Sequence, residues 1–285
     1  RAQHDGNVMA LGAHDREVAR RVPQPLLLFE GVIVFLVDDD QPRTPEGGED
    51  RRARADHEPR GPRARRAPGG KTNAVAEAGV QQGRLDEVRE NMQRLRRDAP
   101  DDAVEIYLIE GQILSDLTLY NEAWQLYDQA LATYKDNEDL LYSRALTSEK
   151  IDRIDLAEQD MLRILELDPE NVRAMNALGY TLADRTDRYE EAFRYIQQAY
   201  ERKPDDPAII DSMGWVHYRL GRLEEARGFL QQAWDMTGDG EIGAHLGEVM
   251  WMQGDRDDAR RIWAESKESS PDNPVLKKVL DRFMP

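Results

Sequence analysis

From Asn176 to Ala233 the chain reads NALGYTLADRTDRYEEAFRYIQQAYERKPDDPAIIDSMGWVHYRLGRLEEARGFLQQA, and one unit is written there twice. Gly179, Ala192, Ala199 and Pro204 in the first copy recur as Gly214, Ala226, Ala233 and Gly238 in the second. The first copy carries one extra residue near Thr186-Asp187-Arg188. Between the small residues, apolar positions at i, i+3, i+4 and i+7 give each half of the unit one buried stripe, as an amphipathic helix requires. A period of about 34 residues built from two such helices is the mark of a helical solenoid.

Working outward, the phase holds in both directions. Full units are expected over about 104–137, 138–171, 172–206, 207–239 and 240–273. Pro204-Asp205-Asp206-Pro207 and Pro271-Asp272-Asn273-Pro274 separate units, because proline suits the first turn of a helix and breaks its interior. A capping helix follows over 274–285, with Lys277, Lys278, Asp281 and Arg282 facing water. Before the first full unit, 73–103 reads as a partial repeat, with a short first helix over Asn73–Gln82 and a second over Arg84–Arg97.

Residues 1–72 differ in kind and read as a disordered or poorly structured segment. The first seventy residues hold twelve Arg, no Lys, seven of the fourteen Pro and neither Trp nor Tyr. Gln41 to Gly70 has no apolar period and buries too little to offset chain entropy. A basic arm, a plain linker and text from a misjoined reading frame share this composition, and no function is assigned to it. Leu26 to Val37 is apolar enough for a lone strand or short helix with no obvious partner, and too short to span a membrane. No secretion signal or lipidation cysteine is read from this sequence, so membrane association would need a lipid anchor in a fuller sequence.

Tyr107, Gly111, Tyr120, Ala123, Tyr127 and Ala130, with their counterparts in later units, resemble tetratricopeptide (TPR) repeats. Glu110 and Arg144 at the seventh position, Val88 for alanine and Gly238 for proline depart from that pattern. The resemblance implies an all-α, right-handed superhelix of antiparallel helix pairs whose first (A) helices line a concave groove. It implies a protein-interaction scaffold or adaptor, with a structural module assembling through its convex face or ends as the alternative. More narrowly, NALGYTLADR, DSMGWVHYRLG and EIGAHLGEVMWMQG are similar to the last repeats of bacterial envelope TPR proteins. Among these are outer-membrane lipoproteins that act as adaptors for a carboxyl-terminal processing protease. Periplasm or cell envelope is the compartment this implies, with cytoplasm the alternative.

Composition narrows the chemistry. A net charge of −17 and a pI near 4.8 argue against nucleic acid, which needs a basic surface. Cysteine is absent, and His217 and His245 stand on different units without the converging ligands or nucleophile–base spacing that metal or catalytic work needs. Glu190-Glu191 and Glu224-Glu225 open helices, where they suit the dipole. No phosphate loop or hydrolase signature appears. No catalytic residue, metal, cofactor or small-molecule substrate is therefore expected, and both histidines read as packed or groove-lining.

The groove is where function is expected. Positions 2, 5, 9 and 12 of the A helices face inward in this architecture. They give Arg173, Asn176, Tyr180 and Ala183, then Ala208, Asp211, Trp215 and Tyr218, then Glu241, Ala244, Glu248 and Trp251, with Tyr142 one unit earlier. Aromatic anchors among hydrogen-bonding side chains suit a protein or peptide segment. The same rings would also fill space between successive A helices. Position 5 holds no lysine, which argues against the carboxylate clamp of cytosolic chaperone adaptors.

Overall fold

The computed structural model describes residues 26–29, 32–35 and 71–284, with side chains from Arg84 to Met284. It divides at Asp102 into two compact units.

In the N-terminal unit, β1 (Leu26–Phe29) pairs antiparallel with β2 (Val32–Phe35), in the register Leu26 to Phe35 and Phe29 to Val32. The apolar run expected to be a lone strand or helix is thus its own partner. Aromatic and β-branched residues favour the strands. Lys71 and Thr72, expected to be disordered, open a helix; the rest of the expectation over 1–72 falls outside the described residues. Helix α1 (Lys71–Asp98) is one continuous element of 28 residues. The repeat phase predicts a break at Gly83. A single interior glycine costs only about 1 kcal/mol, no proline stands in the segment, and Gln81, Gln82, Arg84 and Leu85 are good helix formers. Leu85, Val88 and Met92 form its buried stripe. A 3₁₀ turn, Pro100–Asp102, ends the unit.

The C-terminal unit is all helical among the described residues. Its elements are α2 (Ala103–Asp116), α3 (Tyr120–Thr133), α4 (Glu138–Lys150), α5 (Ile154–Leu167), α6 (Val172–Arg185), α7 (Tyr189–Arg202), α8 (Pro207–Arg219), α9 (Leu223–Thr237), α10 (Gly240–Gln253), α11 (Arg256–Ser269) and α12 (Pro274–Phe283). Each even-numbered A helix up to α10 packs against the B helix that follows it. A helices also meet A helices: α2 touches α4, α6 touches α8, α8 touches α10, and α10 touches α12. That second set of contacts turns stacked hairpins into a solenoid.

Local chemistry fixes where each A helix after α2 begins. Asn137, Asn171, Asp206, Asp239 and Asn273 are its N-caps, each side chain accepting from a backbone N–H in the first turn. Such a cap stabilises a helix by about 1 kcal/mol. The turn from A to B is set by a left-handed residue: Thr118, Asp152, Gly221 and Gly254 occupy equivalent places with φ between 60° and 98°. In the third unit the extra residue lets the chain pass through extended Thr186 (φ −139°), and no left-handed residue is needed.

Within each pair the closest approach falls at the small residue of the A helix. A Cβ added at Gly111, Gly179, Gly214 or Gly247 would overlap Tyr127, Ile196, Leu230 or Trp263 of the paired B helix. The core at the C-terminal end gathers Leu230, Leu246, Val249, Met250, Ile262, Trp263, Leu276 and Val279, each contributing about 1.5–3 kcal/mol by its burial. The irregular seventh positions differ from the repeat in kind. Glu110 is buried. Arg144 is held on both oxygens of buried Asp160, at 2.6 and 2.8 Å, and on Asp128 at 2.6 Å.

Candidate functional site

Helices α6, α8, α10 and α12 enclose a cleft of about 410 Å³. Tyr180, Trp215, Tyr218, His245 and Glu248 line it from the A helices, and Val275, Val279 and Arg282 close it from α12. These side chains converge because positions 9 and 12 of one A helix lie beside positions 6 and 9 of the next.

His245 is the hub. It is 1% exposed, and its Nδ1–H donates to Asp211, 2.9 Å from Oδ1 and 3.2 Å from Oδ2. Trp215 stacks on the imidazole with ring centres 4.3 Å apart. Nε2 lies 3.5 Å from the Tyr180 hydroxyl, which itself donates to Glu241 Oε1 at 3.3 Å. Burial alone would push the imidazole towards neutrality. The Asp211 carboxylate outweighs it, helped by Glu241 and Asp184, and the pKa rises to about 9. The Asp211 carboxylate thus favours the imidazolium form of His245. Burial first, then the carboxylates of Glu241, Asp211, Asp184 and Glu149, hold the Tyr180 hydroxyl well above its usual range.

Glu248 is the second fixed charge. Its side chain is 4% exposed and accepts from the Tyr218 hydroxyl at 2.9 Å and from Arg282 at 3.0 Å. Burial, then Glu248, raises the Tyr218 phenol. On the rim, Arg185 pairs with Asp152 at 2.6 Å. Arg219 donates to the Asp184 carbonyl at 3.1 Å and to the Tyr189 hydroxyl at 2.8 Å.

Tyr180, Asp211, Trp215, Tyr218 and Glu248, all read as inward-facing from the sequence, thus meet around this cleft. Tyr142 and Arg173 form a separate cluster towards the N-terminus: the guanidinium lies 4.1 Å over the tyrosine ring and is fixed by Asp139 at 2.6 Å. Asn176 is half-buried, and its Oδ1 has no partner. Trp251 does not reach the cleft. It stacks on Trp263 of its own hairpin at 5.6 Å and meets Phe283 of α12 at a tilt of 48°, with ring centres 5.8 Å apart. Ala183 and Ala244 are buried, and Ala208 is exposed. His217 packs between Phe193 and Phe229, with burial and then Arg222 lowering its pKa.

His245 reads from the sequence as packed or groove-lining, but its pairing with Asp211 does not, because that partner lies one unit away on the preceding A helix. The wall supplied by α12 was read as water-facing. Arg282 is 64% exposed, yet its guanidinium reaches the buried Glu248.

The arrangement sets charged hydrogen-bonding groups beside aromatic faces, as recognition of a polar segment requires. Among the described residues no group of three or more His, Asp or Glu side chains could hold a metal ion.

Residues 142–207 and 185–241 match two profiles of the tetratricopeptide repeat. The crystal structure of TTC0263, a thermophilic TPR protein in Thermus thermophilus, superposes with a TM-score of 0.57 at 23% identity, covering 64% of this chain and 99% of that one. The fold is that of a TPR solenoid. A tetratricopeptide repeat protein from Parabacteroides merdae gives a TM-score of 0.58 at 17% identity, over 73% of this chain and 84% of the other. In sequence, TPR repeat-containing protein PA4667 of Pseudomonas aeruginosa is 44% identical over 166 residues, which are 58% of this chain and 28% of that protein. The chain therefore spans under a third of that relative's length. TPR domains generally bind protein partners and are typically non-catalytic scaffolds.

Proposed function

We propose that this protein is a non-catalytic adaptor that holds a protein or peptide segment in the groove of its A helices, centred on the cleft around Trp215. The observation that carries the reading is the convergence of Tyr180, Trp215, Tyr218, His245 and Glu248, drawn from three successive units, in one open cleft. Buried charges in fixed geometry beside aromatic walls are what an interface centre needs. The likeness of NALGYTLADR and DSMGWVHYRLG to envelope adaptors supports a partner in a bacterial envelope protease or assembly complex, and a periplasmic or envelope location. Fractionation of the producing cell tests that location.

The groove is tested by affinity capture from the producing cell, followed by titration of the captured partner against two variants. Trp215→Phe keeps a ring over His245 and should weaken binding by about tenfold with little loss of stability. Leu162→Ala, on the B helix α5, should leave affinity unchanged. The reverse pattern would move binding to the B-helix face. That face carries a groove of about 650 Å³ between α3 and α5, lined by Leu131, Leu141 and Leu162.

A further inference from the structure

Successive A helices come together at every joint of the array but one. Among the described residues α2 packs on α4, α6 on α8, α8 on α10 and α10 on α12, whereas the backbones of α4 and α6 scarcely approach each other. Polar side chains bridge that gap. Arg173 of α6 pairs with Asp139 of α4 at 2.6 Å and lies 4.1 Å over the Tyr142 ring, with the two charged side chains 51% and 59% exposed. At the other end of α6, Arg185 pairs with Asp152 at 2.6 Å and donates to the Glu149 carbonyl at 3.3 Å. Between them the Thr181 hydroxyl donates to the Glu149 carboxylate at 3.3 Å. Further along, α8 and α10 are joined by the Trp215–His245 stack at 4.3 Å and the buried contact of His245 with Asp211 at 2.9 Å. The B-helix side of the polar joint is apolar and continuous. Helix α5 packs on α6, and Leu165 joins Val172, Met175 and Ile209 in one cluster. Glu158 of α5 also accepts from Arg188, at the start of α7, at 2.7 Å.

We propose that the solenoid bends at this joint, with α2–α5 swinging against α6–α12 and Arg173 and Arg185 as the releasable ties. The apolar side is the fulcrum, since parting it would expose Leu165, Val172 and Met175 to water. The α4–α6 side yields, because exposed ion pairs hold little against water and weaken as salt screens them. Opening there trades protein–protein hydrogen bonds for bonds to solvent and breaks no packed layer, which is what a hinge requires. Tyr142 then moves relative to the cleft around Trp215, so one groove fits segments of different curvature. That consequence rests on the groove reading above; the bending does not.

The chain has no cysteine, so a pair of introduced ones takes spin labels at those two places alone. In the full chain, labels at Gln159→Cys and Gln232→Cys, both exposed, span the joint. Labels at exposed Gln197→Cys and Lys267→Cys span as many units without crossing it. Distances between labels, measured by pulsed electron spin resonance at low salt, should be spread about twofold more widely in the first pair than in the second. Raising salt to about 1 M, where the screening length is about 3 Å, should widen the first distribution further and leave the second unchanged. Arg173→Gln with Arg185→Gln should reproduce the high-salt distribution at low salt. Arg260→Gln with Arg261→Gln, whose ion pairs lie within α11, should alter neither label pair. Equal spreads in the two label pairs would overturn the proposal. So would a first pair that responds neither to salt nor to the loss of Arg173 and Arg185, or that responds as much to the loss of Arg260 and Arg261. If the Arg173 and Arg185 double variant melts early, Arg173→Gln alone and the salt series decide.

Discussion

The buried imidazolium makes a prediction about stability and pH. His245 donates to both oxygens of Asp211 at 2.9 and 3.2 Å, and its pKa in the folded chain lies near 9. In the unfolded chain a histidine titrates near 6.5. A folded pKa above the unfolded one means that the pair's contribution is fully present below about pH 6.5. It declines as pH rises and is lost once pH passes about 9. A difference of that size corresponds to about 3 kcal/mol at the acidic end. The perturbation is His245→Gln, which keeps a hydrogen-bonding side chain and removes the charge. Urea unfolding of the C-terminal helices, followed by circular dichroism at pH 6, 7.5 and 9, should show the wild type losing stability across that range while the variant profile is flatter. The difference between the two should shrink towards the alkaline end. Carbon-13 chemical shifts of the imidazole report the same titration directly. Parallel stability profiles, or an imidazole titrating near 6.5, would refute the reasoning.

Two further predictions concern the repeat itself. A Cβ at Gly247 would overlap Trp263 of the paired helix, whereas one at Gly228 meets nothing within 4 Å. Gly247→Ala should therefore cost about 1–3 kcal/mol, and Gly228→Ala should stabilise by about 0.5–1 kcal/mol; urea unfolding of the two variants should give opposite signs. Arg144→Ala strands the buried Asp160 and should cost about 3–5 kcal/mol, while Arg144→Leu with Asp160→Leu should be near neutral. Equal losses in the single and double variants would show that the charges themselves, rather than their pairing, hold that part of the array.

How far the sequence reaches depends on the distance over which each residue's partner lies. The solenoid was legible because its determinants are local. Gly179 and Ile196 or Gly214 and Leu230 meet within one hairpin, and their spacing repeats. The caps at Asn171 and Asp206 act within three residues. The continuity of α1 through Gly83 was not legible, because a glycine at a repeat position looks the same whether the chain turns there or runs on. At the candidate site the inward positions of Tyr180, Trp215 and Tyr218 followed from helical phase alone. What each ring touches did not, because those contacts cross units. Trp251 shares its register with Tyr218, yet Tyr218 reaches a carboxylate in the cleft while Trp251 is covered by Trp263 and Phe283. The difference lies in the neighbour: Tyr218 meets α10, which carries Glu248, and Trp251 meets α12, which carries Phe283. A periodic sequence therefore declares which side chains face inward, and the neighbouring helix decides what each of them meets.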